Sequence, residues 1–176
     1  LINNVDSIKG VPIGLINIVK KNGYTRIELS TGDVLYCSLG IKTGVRKLYY
    51  MAQVGWQVNA DNDYVWSAGI GIGTTFAVHP RWDLHLEWLT SHINEGVVWT
   101  PTLNLLHQLK PTIAYRISER FSWFIGPSFN LLTSNTYHQD TGLIGSELAP
   151  YTLINVHDHQ GVNLKVWIGG TVGLRF

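Results

Sequence analysis

Three observations on the 176-residue sequence predict an all-β fold: an antiparallel up-and-down transmembrane β-barrel of about eight strands. Apolar side chains alternate with small, polar or charged ones through most of the chain, the period of a strand with two different faces. Charged residues make up only 14% of the total, against roughly 25% in soluble domains. No window approaches 18 consecutive apolar residues, so a membrane-spanning helix is excluded, whereas barrel strands average their lipid-facing and lumen-facing residues to just this hydropathy.

Taken in order, the period-2 segments bounded by turn residues are 23–31, 33–43, 47–58, 64–78, 82–93, 103–118, 120–134 and 163–176. In the fourth, Trp66, Ala68, Ile70, Ile72, Thr74, Phe76 and Val78 oppose Ser67, Gly69, Gly71, Gly73, Thr75 and Ala77. Glycines at every second position serve no phosphate loop; they make room inside a barrel for bulky neighbours. The last strand opposes Leu164, Val166, Ile168, Val172, Leu174 and Phe176 to Lys165, Trp167, Gly169, Thr171, Gly173 and Arg175. Cys37 joins Leu35, Leu39 and Ile41 on a lipid-facing set and reads as a small apolar residue.

The connections fall into two classes. Short turns at 42–47, 79–82 and 117–121 alternate with longer links at 59–63, 93–102 and 135–162, the asymmetry of periplasmic turns and external loops. Charge divides the same way. Asp33, Asp61, Asp63, Glu95, Asp140, Glu147 and Asp158 lie on the external side, and Lys20, Lys21, Arg46, Lys47, Arg81 and Arg120 on the periplasmic side. Tyr49, Tyr50, Trp56, Tyr64, Trp66, Trp82, Trp88 and Trp99 cluster near strand ends, as aromatic girdles do.

On the inward face fall Arg26, Glu28, Lys42, Asp83, His85, Glu87, Lys110, Arg116, Lys165 and Arg175. The expected arrangement is a lumen charge network of both signs, with His85 and Glu87 partnering Arg116 or Lys110, filling an interior just wide enough for side chains. An open pore is not expected at eight strands.

The net charge of +1 argues neither for nucleic acid nor against it, and without a basic run interleaved with aromatics no nucleic-acid partner is expected; a single Cys37 excludes an internal disulfide or a Cys-rich zinc site. The start at Leu-Ile-Asn-Asn, without Met or an apolar signal stretch, reads as a mature or truncated form. Candidate metal ligands are His138, His157 and His159, with Asp140 and Asp158, although two-residue spacing without a third fixed ligand more often marks solvated loop side chains. No cofactor is implied.

The segment IKGVPIGLINIV, 8–19, resembles the surface repeat Gly-Val-x-Ile-Gly-Leu-x-Asn-Ile found in tandem in some outer-membrane or surface proteins of Gram-negative bacteria, matching at Gly10, Val11, Ile13, Gly14, Leu15, Asn17 and Ile18. The stretches YTRIELS, IKTGVRKLYY and GIGIGTTF look like the barrel region of the same group. One repeat copy stands here where that group carries several, so residues 1–22 are expected to be a repeat-like segment or an extra strand, and 23–176 the barrel. An extra strand would make nine, and an even-numbered barrel would then be the C-terminal part of a larger one. The stretch LEWLTSHINEG, 86–96, faintly resembles the His-x-Ser-Asn stretch of outer-membrane lipid A deacylases. His92 matches the base, but Asn94 stands at the nucleophile position, and Ser91 and His92 point to opposite strand faces. The terminal Phe176 resembles the signal read by the machinery that inserts outer-membrane barrels.

Together these imply a non-catalytic outer-membrane barrel, an anchor or accessory subunit of a protein assembly, in contact with outer-membrane lipid, the insertion machinery and protein partners. A deacylase-like lipid A-modifying enzyme, a narrow channel and a soluble ligand-binding barrel, which would need no detergent, are the alternatives.

Overall fold

The computed structural model describes residues 2–7, 16–19, 23–58, 64–96, 98–99, 101–137, 144–157 and 161–176. Two short strands, β1 (Ile2–Val5) and β2 (Ile16–Val19), pair with each other in parallel. The rest is one antiparallel nine-stranded sheet: β3 (Tyr24–Gly32), β4 (Cys37–Val45), β5 (Leu48–Val58), β6 (Tyr64–His79), β7 (Trp82–Glu95), β8 (Asn104–Arg116), β9 (Ser122–Ser134), β10 (Ile154–His157) and β11 (Asn163–Arg175). No helix occurs among the described residues.

Each strand from β3 to β9 pairs with the next; β9 pairs with β11, and β11 returns to β3, so eight strands close a ring. Phe176 carries the closing ladder one residue further, exchanging backbone hydrogen bonds with Ile27 at 2.9 and 3.1 Å. The ninth strand, β10, takes the edge of β11 that β3 leaves free. Ile154–His157 pair with 163–166, while β3 holds 171–175.

The strands form where period 2 is strongest, and the short links 46–47, 80–81 and 117–121 lie at one end of the ring with Tyr24 and Phe176. Gly44 prepares the first turn with φ 147°, where an added Cβ would meet the Leu48 carbonyl at 2.7 Å.

Two expectations fail locally. Residues 33–36 are not strand: the chain leaves the wall there and turns inward, and Val34 and Leu35 are buried. Leu35 therefore does not share the outward face with Cys37, Leu39 and Ile41, because the Asp33 carboxylate beside it is held inside the ring by three donors. Tyr49 is not a girdle residue but fully buried, since β5 turns Tyr49 and Met51 inward and Tyr50, Ala52 and Val54 the other way.

Candidate functional site

The interior is built in layers, and the first lies at the short-turn end. Arg116 pairs with Asp83 at 3.0 Å, with Arg46 3.6 Å from the same carboxylate. Arg26, 5.3 Å over the Tyr24 ring, donates to the Glu119 carbonyl at 3.1 Å. It therefore sits at the rim, outside the central charges. Above it Tyr24 and Tyr49 stack at 4.8 Å, and His85 meets the Thr75 hydroxyl at 2.9 Å and the Tyr49 hydroxyl at 3.3 Å.

The central layer holds four charges, each 1% exposed: Glu28, Lys42, Glu87 and Arg175. Lys42 Nζ bridges Glu28 and Glu87, at 2.6 Å to the latter. Arg175 Nε donates to Glu28 at 2.7 Å and its terminal nitrogen to Glu87 at 3.1 Å. Tyr49 adds a third donor to Glu87 Oε1 at 2.7 Å. Two cations and two anions thus balance, which is what permits four charges to leave water together. The Phe124 ring lies 4.0 Å under the Arg175 guanidinium.

Glycines make this crowding feasible. A Cβ on Gly73 would lie 2.5–2.7 Å from the Tyr49 ring, and one on Gly173 2.7 Å from Phe124. Each bulky ring fills the space its neighbour leaves.

Lys110 and Lys165 take no part in the central cluster. Lys110 Nζ reaches Gln53 at 3.4 Å, and Lys165 Nζ donates to the Ser146 carbonyl at 2.7 Å. The expected pairing of Glu87 with Lys110, its cross-strand neighbour, gives way to bonds across the ring, and His85 meets hydroxyls. Around Lys110 a polar cavity of about 20 Å³ has room for a single water.

Toward the loop end Asp33 accepts from Trp167 Nε1 at 2.5 Å and from Ser128 and Asn130 at 3.3 Å each. Val34, Leu35, Val65, Ile93, Leu106, Leu132 and Trp167 then form an apolar plug, closed by Leu148 and Ala149 of the long loop. Apart from such small cavities, side chains of the described residues fill the interior from rim to rim.

The wall outside is the reverse. Ile27, Leu39, Val54, Ile70, Ile72, Phe76, Leu84, Trp88, Ile113, Ile125, Phe129, Ile168 and Val172 are all exposed, and together they come from every ring strand. Three of its side chains bond one another: Trp88 Nε1 donates to Thr90 at 3.2 Å, and Thr90 meets His107 Nδ1 at 3.0 Å. Trp82, Tyr115 and Trp123 cluster near the turn end, and Trp66, Trp99 and His92 near the loop end. His92 stacks on Trp99 at 4.4 Å while Ser91 is buried on the opposite face beside Gly69, so the two do not meet.

At the loop end Val98, Trp99, Tyr137, Tyr151, Leu153, Ile154 and Val156 are exposed. His157 is exposed on β10, near Asn163; His138 and His159, with Asp61, Asp63, Asp140, Asp158, Lys20 and Lys21, lie outside the described residues. No group of three or more metal-ligand side chains occurs among the described residues. Phe176 packs its ring 5.3 Å from Phe121.

Asp33 and Tyr49 were missed as interior residues, whereas alternation already sets Trp167 on the inward side of the last strand with Lys165 and Arg175. The signal was present for Asp33, because it precedes Val34-Leu35, an apolar pair out of place in an exposed link. No family model, curated protein or solved structure matches the chain.

Proposed function

We propose that this chain is a non-catalytic, integral outer-membrane β-barrel that anchors its loop-end surface as an accessory subunit of a protein assembly. The observation that carries the reading is inverted burial: charges are inside and large apolar side chains outside, around the whole ring. A soluble monomer rarely exposes a continuous apolar belt of this kind, whereas lipid requires it. From Trp82 to His92, β7 advances ten residues. At about 3.3 Å per residue and a tilt of about 40° this spans roughly 25 Å, the height of an outer-membrane apolar band.

Anchoring is favoured over conduction because, among the described residues, the central ion layer and the apolar plug leave no continuous polar path. A docking role is supported by the exposed Tyr151, Leu153, Ile154 and Val156, which sit beside loop residues that pack inward. Extraction in mild detergent at native expression level, with mass spectrometry of what co-purifies, tests both parts. A detergent requirement with a stoichiometric companion is expected. Solubility without detergent would overturn the membrane assignment, and recovery alone in detergent would overturn the subunit role.

A further inference from the structure

Charge is distributed unevenly between the two ends of the ring. Among the described residues the short-turn end carries Arg26, Arg46, Lys47, Arg81, Arg116 and Arg120 against the carboxylates of Asp83 and Glu119. Arg116 and Arg46 share Asp83 inside the mouth, and Arg26 is engaged by the Glu119 carbonyl. Lys47, Arg81 and Arg120 stand apart from these. Each is exposed on a different short turn, 46–47, 80–81 or 117–121, and none has an ion-pair partner among the described residues. Successive hairpins thus present a broken collar of positive charge. At the loop end, by contrast, Glu147 is exposed, Glu95 is half-buried and Lys165 is occupied by the Ser146 carbonyl.

We infer that this collar binds the phosphates of anionic phospholipid headgroups, with Arg81 as its best-formed site; the inference rests on the membrane reading above. Arg81 comes one position before Trp82, from which the apolar span is measured, so its guanidinium lies at headgroup depth. Its Nη1 donates to the Tyr115 hydroxyl at 3.2 Å. The Tyr115 ring lies 4.9 Å from Trp82, and Trp123 lies 6.2 Å from Trp82, an aromatic patch of the kind that settles at a membrane–water interface. A guanidinium carries five N–H donors in a planar fork that matches a phosphate, and the bond to Tyr115 commits one of them. Directly above stands the apolar wall, where exposed Leu84 pairs across the ladder with exposed Ile113. A phospholipid needs both surfaces, cationic donors for its phosphate and an apolar face for its acyl chains. That adjacency favours lipid over an acidic protein, which would gain nothing from the wall. Lys47 and Arg120 serve neighbouring headgroups in the same way, as basic residues do at an anionic bilayer surface.

The test takes the full chain in mild neutral detergent, stripped of lipid, and follows binding by native mass spectrometry during titration with phosphatidylglycerol, phosphatidylcholine or glycerol phosphate. Phosphatidylglycerol should bind about tenfold more tightly than phosphatidylcholine, and glycerol phosphate, which has no acyl chains, should not displace it. Lys47→Gln, Arg81→Gln and Arg120→Gln should each weaken phosphatidylglycerol binding about fivefold, the factor for one basic residue at an anionic surface. Glu147→Gln at the other end should leave it unchanged. Equal affinity for the two lipids, or a triple variant that binds phosphatidylglycerol as the parent does, would overturn the inference. Displacement by glycerol phosphate would overturn the lipid source in favour of a free anion. Detergent dependence is read on the same preparation. A chain that needs detergent yet does not distinguish the lipids loses the collar alone, whereas a chain soluble without detergent loses both the collar and the membrane reading.

Discussion

Removing the charge of Glu87 tests the interior most sharply. One oxygen of this carboxylate accepts from Lys42 at 2.6 Å, Tyr49 at 2.7 Å and Arg175 at 3.1 Å. Glu87→Gln keeps the volume and leaves Lys42 and Arg175 facing Glu28 alone, converting a balanced cluster into one with an uncompensated buried cation. Breaking a buried pair by removing one partner costs about 3–5 kcal/mol. With a urea slope of about 2 kcal/mol per molar, the unfolding midpoint should fall by about 1.5–2.5 M. The assay is equilibrium urea unfolding in detergent micelles, followed by tryptophan fluorescence. Pairing the change with Lys42→Met restores neutrality, so the double variant should lose less than the sum of the singles, by at least about 1 kcal/mol. A Glu87→Gln midpoint within 0.3 M of the parent (about 0.6 kcal/mol at that slope), or strictly additive singles, would refute the balanced-cluster reasoning.

Three further perturbations probe other layers. Gly73→Val drives a side chain into the Tyr49 ring and should cost about 1–3 kcal/mol by overpacking; combining it with Tyr49→Ala should recover part of the loss in the same urea assay. Asp33→Ala strips the acceptor from Trp167, Ser128 and Asn130 and should cost about 1–3 kcal/mol. Asp33→Asn keeps one acceptor oxygen and should lie between Asp33→Ala and the parent, with the Trp167 indole signal reporting the bond by NMR. Ile72→Arg on the outer wall should cost about 2–4 kcal/mol in lipid vesicles and almost nothing if that face meets water.

Much of the ring was legible because alternation survives burial on either side: β6 and β11 appear in sequence within a residue of their observed bounds. What escaped was set by closure. Glu87 faces Lys110 across one ladder step, yet its bonds run to Lys42 and Arg175, because a closed ring brings β4 and β11 across to β7. Sequence spacing carries no such distance. The inward turn at 33–36 depends on a carboxylate finding three donors on β9 and β11, and β10 depends on an edge that β3 happens to leave open. Tyr49 read as a girdle aromatic because it sits at a strand end, where only the facing parity of β5 tells inside from outside.

The central claim is that the apolar wall faces lipid while the charged interior is sealed from it. Two single-tryptophan variants reconstituted in vesicles with brominated acyl chains test it directly: one keeps Trp88, half-exposed on the wall, and the other Trp167, 0% exposed inside. Strong quenching of Trp88 with Trp167 unaffected is the predicted result. Equal, weak quenching of both, with Trp88 instead accessible to aqueous iodide, would contradict the claim.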